Sequence, residues 1–273
     1  MKIFERFSKL AAVIGIIIAI NILLIPVFLF TGHPLCYGLV ALRSRVYLWE
    51  NYPQMDVGID KIIYDFKHGG YSVYYSSPTS IDTHFRLGCD GWGNVYLDGA
   101  DYIDSNTIGR INGYYRDAYD AAIESAEFSF EIYINYCNIT HQYGNEVSSI
   151  NKDFGITGLE VQKLVFDGEY DFHEFAAKYG RITFYAHDPE VTVERAAEIL
   201  MELKAYLDAQ DIPFRAIEFN LKSASASEEY VHLVDIYYEE ICQEGLVDRV
   251  TEYNDAIHAH HAKMDESRKQ YRP

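Results

Sequence analysis

Residues 10–30 read LAAVIGIIIAINILLIPVFLF, an apolar run without one charged side chain. A helix needs about 20 such residues to cross the ~30 Å hydrocarbon core of a bilayer. In lipid it satisfies its own backbone hydrogen bonds, so the segment can stand there alone. Asn21 and Pro26 interrupt the run and read as a tolerated polar residue and a mild bend. Everything after it is polar enough to form a water-soluble region. The chain therefore divides into a tail at 1–9, a transmembrane anchor at 10–30 and a large remainder.

Lys2, Arg6 and Lys9 precede the run, and only Glu5 opposes them. Positive charge is retained on the cytoplasmic side. The expectation is a single-pass signal-anchor in the cell membrane, N-terminus cytoplasmic and C-terminal region extracytoplasmic. Arg43 and Arg45 follow the run and pull the other way. A cleaved signal peptide has an apolar core of only ~7–15 residues and a small-x-small cleavage site. This core is longer, and Thr31-Gly32-His33-Pro34-Leu35-Cys36 contains no such site. The same residues lack the small side chains expected before a lipid-modified cysteine.

The first 31 residues carry a net charge of +2 and the whole chain −18, which leaves −20 on the remainder. Phosphate backbones repel such a region, so nucleic acid is not an expected partner. The 24 tyrosines fall mostly in strand-like runs, where an amphipathic ring suits a sheet with one wet face. The four cysteines, Cys36, Cys89, Cys137 and Cys242, form no CxxC, which argues against a zinc or redox motif. Free buried thiols are the default, and a Cys89–Cys137 bridge stays open as an alternative.

Leu39, Leu42, Val46 and Trp49 share one helical stripe, so the spacing predicts an amphipathic helix over about 36–52, ended by Pro53. Strand signals follow at Ile59–Phe66, Tyr71–Ser76, Thr83–Cys89 and Asn94–Leu97, with hairpin turns at Gly69-Gly70 and around Gly91 and Gly93. Ile108, Ile111, Tyr115, Ala118 and Ala122 then repeat at helical spacing and are expected to close a first unit at 31–126. Phe128, Phe130, Ile132, Ile134 and Tyr136 alternate as a half-buried strand that opens a second unit at 127–273. Residues 138–160 read as a loop. Asp171-x-x-Glu174 resembles a capping box for a short helix that Gly180 closes, and Thr192 caps a longer one. Strands are expected at 181–187, 214–221 and 230–237, and a last helix around Leu246, Val250, Tyr253 and Ile257.

Thr79, Ser80, Asp82, His84 and Arg86 crowd one turn and the strand after it. A hydrolase could use Ser80, Asp82 and His84 if all three met within hydrogen-bond reach. Ser-Pro-Thr is also an ordinary turn whose hydroxyls bond nearby backbone, and no strained G-x-S-x-G elbow is present. The five residues are therefore read as a ligand-binding patch, with no catalytic residue assigned. Asp90, Asn94, Asp98, Asp101 and Asp104 are oxygen-rich but do not follow the EF-hand spacing. His258 and His261 lie three apart on a polar terminal helix. Neither group is assigned a metal, and no cofactor is expected.

Two longer patterns carry a family resemblance. One is Tyr71 to Phe85, with the core SPTSIDTHF. The other joins KYGRITF at 178–184, VTVERAAEIL at 191–200, DIPF at 211–214 and EGLVDR at 244–249. With these the chain resembles the YfjL-like family. The resemblance implies a bacterial membrane-associated protein with a short N-terminal membrane segment and two small α+β units, and it supplies no catalytic residue. The expected fold is thus α+β: an N-terminal transmembrane helix, then two small units, each a mainly antiparallel sheet packed with helices. The expected role is a non-catalytic interaction or sensing module for a protein, peptide or envelope ligand, with a membrane-anchored hydrolase as the alternative.

Overall fold

The computed structural model describes residues 13–15, 20, 24–142, 158–224 and 229–270. Residues 24–31 are helical and exposed apart from a half-buried Phe28, and 13–15 and 20 are exposed helix as well; the rest of the 10–30 run lies outside the described residues. Among the described residues one helical stretch, Leu24–Asn51, is long and apolar enough to cross a membrane. It is compatible with an anchor or a signal sequence. Gly32, at φ +77°, interrupts it. A Cβ there would come within 2.9 Å of the Tyr64 ring and the Tyr71 hydroxyl, so glycine is the residue that fits both the backbone and the space. The Tyr71 hydroxyl accepts the His33 N–H at 3.0 Å, and the Tyr37 hydroxyl donates to the Thr31 carbonyl at 2.8 Å.

Helix α1 (Pro34–Asn51) begins at this break. The His33 ring caps it by accepting the Leu35 N–H, and Pro34 occupies the first turn, where no backbone donor is lost. The helix lies on the first sheet through Val40, Ser44 and Leu48. The Leu42, Val46 and Trp49 side chains, whose spacing predicts the helix, face solvent. The helix is apolar on two sides, and periodicity alone picked the more conspicuous one.

The chain divides into compact units at Met1–Asn106 and Thr107–Pro273. In the first, β1 (Gly58–Asp65), β2 (Gly70–Ser76), β3 (His84–Cys89) and β4 (Val95–Asp98) form an antiparallel meander in chain order. Alternation dictates the faces. Tyr71, Val73, Tyr75, Phe85, Leu87 and Cys89 point inward, beneath α1. The Ser44 and Tyr75 hydroxyls meet at 2.7 Å inside this core.

Helix α2 (Asn106–Glu124) was expected to close the first unit. It belongs to the second, where Ile108, Ile111, Tyr115, Tyr119, Ala122 and Ile123 enter the core. Arg110 donates to the Gly168 carbonyl at 2.7 Å, and the Asn112 side-chain Oδ1 accepts the Ile139 N–H. The boundary therefore falls at 106/107 rather than near 127. Helical spacing shows which face is buried but not which sheet will bury it.

The second sheet contains β5 (Glu131–Ile139), β8 (Gly180–His187), β9 (Ala216–Lys222) and β10 (Tyr230–Tyr237), in the order β10-β9-β8-β5. Two of its pairings are antiparallel, while β8 and β9 run parallel, joined through α4 (Val193–Ala209). Between β5 and β8 lie a short parallel pair, β6 (His141–Gln142) with β7 (Leu159–Glu160), and α3 (Phe172–Tyr179). Asp171 caps α3 by accepting the His173 N–H, and Thr192 caps α4 by accepting the Arg195 N–H. Helix α5 (Leu246–Gln270) packs beside α4 and β10. Most of the expected 138–160 loop lies outside the described residues. All four cysteines are free, Cys89 and Cys137 in separate cores.

Candidate functional site

The sequence-singled turn joins β2 to β3, and its hydroxyls hold its own backbone. Ser77 N–H donates to the Thr83 carbonyl at 2.9 Å, closing the loop. Ser80 Oγ accepts the Thr83 N–H at 2.9 Å and donates to Thr83 Oγ1 at 2.6 Å. Ser77 Oγ accepts the Thr79 N–H at 3.2 Å. The Asn106 amide, at the end of the first unit, donates to the Asp82 and His84 carbonyls, both at 2.7 Å, and so holds the loop in place.

The five predicted residues occupy three settings. Thr79 and Ser80 line a groove of about 530 Å³ whose other wall is the chain leaving α1, Asn51 to Asp56. Asp82 is buried. His84 and Arg86 are exposed on the outer face of β3, opposite Ser76 and Tyr74. Lys61 reaches over the Tyr74 ring at 4.8 Å, so this face presents Lys61, Tyr74, His84 and Arg86 together. It is an aromatic patch with two fixed cations, Lys61 and Arg86, and the Asp60 carboxylate lies beside it, accepting from the Ser76 hydroxyl at 2.7 Å. Beside the groove, the Asp98 carboxylate accepts from the Tyr47 hydroxyl at 2.7 Å and the Tyr52 hydroxyl at 2.8 Å. The hydrogen bond to Asp98, then burial, push the Tyr47 hydroxyl up to about 12.

A second polar cluster lies on the sheet of the second unit, and sequence reading missed it. Arg181 of β8 pairs with Glu218 of β9 at 2.9 Å and with Asp235 of β10. Glu218 also accepts from the Tyr185 hydroxyl at 2.9 Å and faces His232 at 3.7 Å. Burial alone would raise the Glu218 carboxyl, but His232, Arg181 and Tyr185 outweigh it and hold it at about 2. Burial raises Asp235, with Arg181 opposing. Asp235 sits at φ +57° where the β9–β10 register slips, a conformation that Asp tolerates better than most residues. These groups come from three strands, with Arg181 and Asp235 54 residues apart, so no local motif could announce them. The usable signal was polar residues recurring on one face of strands rich in apolar ones.

Beyond the ends of β8 and β9 a cleft of about 870 Å³ is lined by Phe128–Glu131, His187–Pro189, Ser223 and Ala224. Asp188 holds Arg195 at 2.9 Å, and Arg195 donates to Ser129 Oγ at 3.0 Å. Ligands of sheets with parallel strands commonly bind at this end. The oxygen-rich 90–104 stretch is engaged internally: Asp90 accepts from the Trp92 and Asn94 amides at 2.9 Å, as a hairpin turn requires. His258 packs on Tyr230 and His261 on His232. Among the described residues no three His, Cys, Asp or Glu side chains converge as metal ligands would.

Fold and site together define a two-unit α+β protein with an N-terminal apolar helix, carrying an open polar sheet face in one unit and an ion-paired one in the other. The N-terminal domain of the YfjL-like family matches residues 7–99, and the YfjL-like C-terminal domain matches 138–251. The chain belongs to the YfjL-like family. No curated protein and no solved structure matches it.

Proposed function

We propose that this is a single-pass protein of the bacterial cell membrane, N-terminus cytoplasmic, whose two α+β units act outside the cytoplasm as a non-catalytic interaction or sensing module. The observation that carries this reading is the dispersal of the predicted cluster. Ser80 is engaged by Thr83, Asp82 is buried, and His84 and Arg86 stand in solvent. A hydrolytic site needs nucleophile and base in one space, whereas recognition needs an accessible, chemically distinct face. Lys61, Tyr74, His84 and Arg86 supply such a face for an acidic peptide or envelope polymer, with Thr79 and Ser80 at its edge.

Two measurements test the reading. Topology is read in intact cells with a membrane-impermeant thiol reagent on a Ser267→Cys chain in which Cys36 and Cys242 are replaced by Ser. Labelling without lysis is expected; labelling only after lysis would place the module in the cytoplasm. The surface is read by complementing a deletion strain. Arg86→Glu with Lys61→Glu should lose the deletion phenotype's rescue, while Ser80→Ala should keep it. The reverse pattern would point to the hydrolase instead.

A further inference from the structure

Helix α1 carries apolar residues on two opposite sides. Val40, Ser44 and Leu48 are buried against the first sheet. Opposite them run Leu35, Leu39, Leu42, Val46 and Trp49, at intervals of four, three, four and three. That alternation is the heptad spacing of a helix-on-helix seam. Leu39 is half-buried, and the other four stay in solvent: Leu35 is 77 % exposed, Leu42 63 %, Val46 44 % and Trp49 74 %. Scattered apolar side chains on a surface need no explanation, but a contiguous stripe left bare marks an interaction surface.

The charges beside the stripe identify what covers it. With Leu39 and Val46 at the a positions and Leu35, Leu42 and Trp49 at d, Arg45 falls at g and Glu50 at e. In a parallel two-stranded seam, each g faces the e five residues further on in the other helix. Arg45 therefore meets Glu50 of a second copy, and two-fold symmetry repeats the pair. Both side chains are exposed. In a chain of net charge −18, this seam lets two copies approach through opposite charges. We propose that α1 is a dimerisation helix, its Leu35–Trp49 stripe covered by the same stripe of a second copy in a parallel seam. The inference goes beyond the anchored reading and draws on it at one point: a shared anchor imposes the parallel sense.

The test uses the full chain in detergent and in vesicles. Light scattering should give a dimer for the natural chain and a monomer for Leu42→Asp with Val46→Asp, with circular dichroism unchanged because both residues are exposed. With Cys36 and Cys242 replaced by Ser, Leu42→Cys should cross-link two copies under mild oxidation, and Lys61→Cys, on the far side of the sheet, should not. Arg45→Glu and Glu50→Arg should each weaken the dimer by roughly tenfold. An equal mixture of those two chains should recover it as a heterodimer, because every cross-seam pair then joins opposite charges. A natural chain that stays monomeric at all concentrations overturns the proposal. So does a double substitution that alters vesicle binding with no change in mass, since the stripe would then rest on lipid. Carbonate extraction reads the anchor separately: a chain that leaves the membrane yet still dimerises removes the anchored reading and keeps this one.

Discussion

The two sheets of this protein treat their polar faces in opposite ways. On the first, Lys61, His84 and Arg86 are left facing water beside Tyr74. On the second, the polar side chains close on one another: Arg181 lies between two carboxylates, and Asp235 is only 3 % exposed. A face whose charges are already paired is committed to the fold, whereas an unpaired face is available to something else. The two units thus differ in how much of their polar surface is tied up in internal ion pairs.

The sharpest way to break this comparison is Arg181→Ala. It leaves Glu218 and Asp235 half-buried or buried without their cation, and breaking such a pair costs about 3–5 kcal/mol. Hydrogen-exchange mass spectrometry should show faster exchange across 180–187, 216–222 and 230–237, with the first sheet unchanged. Equal acceleration in both units would mean that they do not hold separate stabilities. The counterpart in the first unit is Ser44→Ala. It strands the Tyr75 hydroxyl in a core where burial already raises its pKa, and should cost about 1–3 kcal/mol by denaturant titration.

Acidification should sharpen the contrast further. Glu218 lies below its ordinary 4.5, at about 2, so its stabilisation is full above 4.5 and is lost as pH falls toward 2. Asp235 is raised, so it takes up its proton earlier in an acid titration, and protonation relieves the cost of its buried charge. Between about pH 5 and 2 the natural chain should lose more stability than Glu218→Gln. A parallel decline of both chains would show that the pairing is not what depresses Glu218. The smallest effect is expected from His84→Ala and Arg86→Ala, within about 0.5 kcal/mol of the natural stability by thermal melting. A larger loss would mean that this face is part of the fold rather than free for a partner.

The strands and turns were legible because alternation and paired glycines are local signals: Tyr71, Val73 and Tyr75 point inward as their spacing requires. The helix allegiances were less so. The spacing of Ile108 to Ala122 marked a buried face but could not name the sheet that buries it. In α1, the spacing of Leu42, Val46 and Trp49 marked the helix, but its buried face is the other one, and Ser44 at the centre of that face is polar and masks it. The Ser80–Asp82–His84 cluster was visible as a motif, but its three environments depend on Asn106 and Thr83, which no spacing rule connects to them. Arg181, Glu218 and Asp235 meet only once strand order is known, and the parallel β8–β9 step that sets it is not written in either strand.

The break at Gly32 has a mechanical consequence. A left-handed glycine is often a swivel, but here Tyr64 and Tyr71 press against the place a side chain would occupy, one hydrogen bond (Tyr37 to Thr31) spans the break, and another (His33 to Tyr71) ties it to the sheet. The joint is therefore an elbow packed against the first sheet rather than a bare hinge. Phe30, on the apolar side of it, reaches Phe66 at the tip of the β1–β2 hairpin, with ring centres 5.9 Å apart. A tilt or rotation of the apolar helix would be delivered to the first sheet as torque instead of being absorbed at the joint.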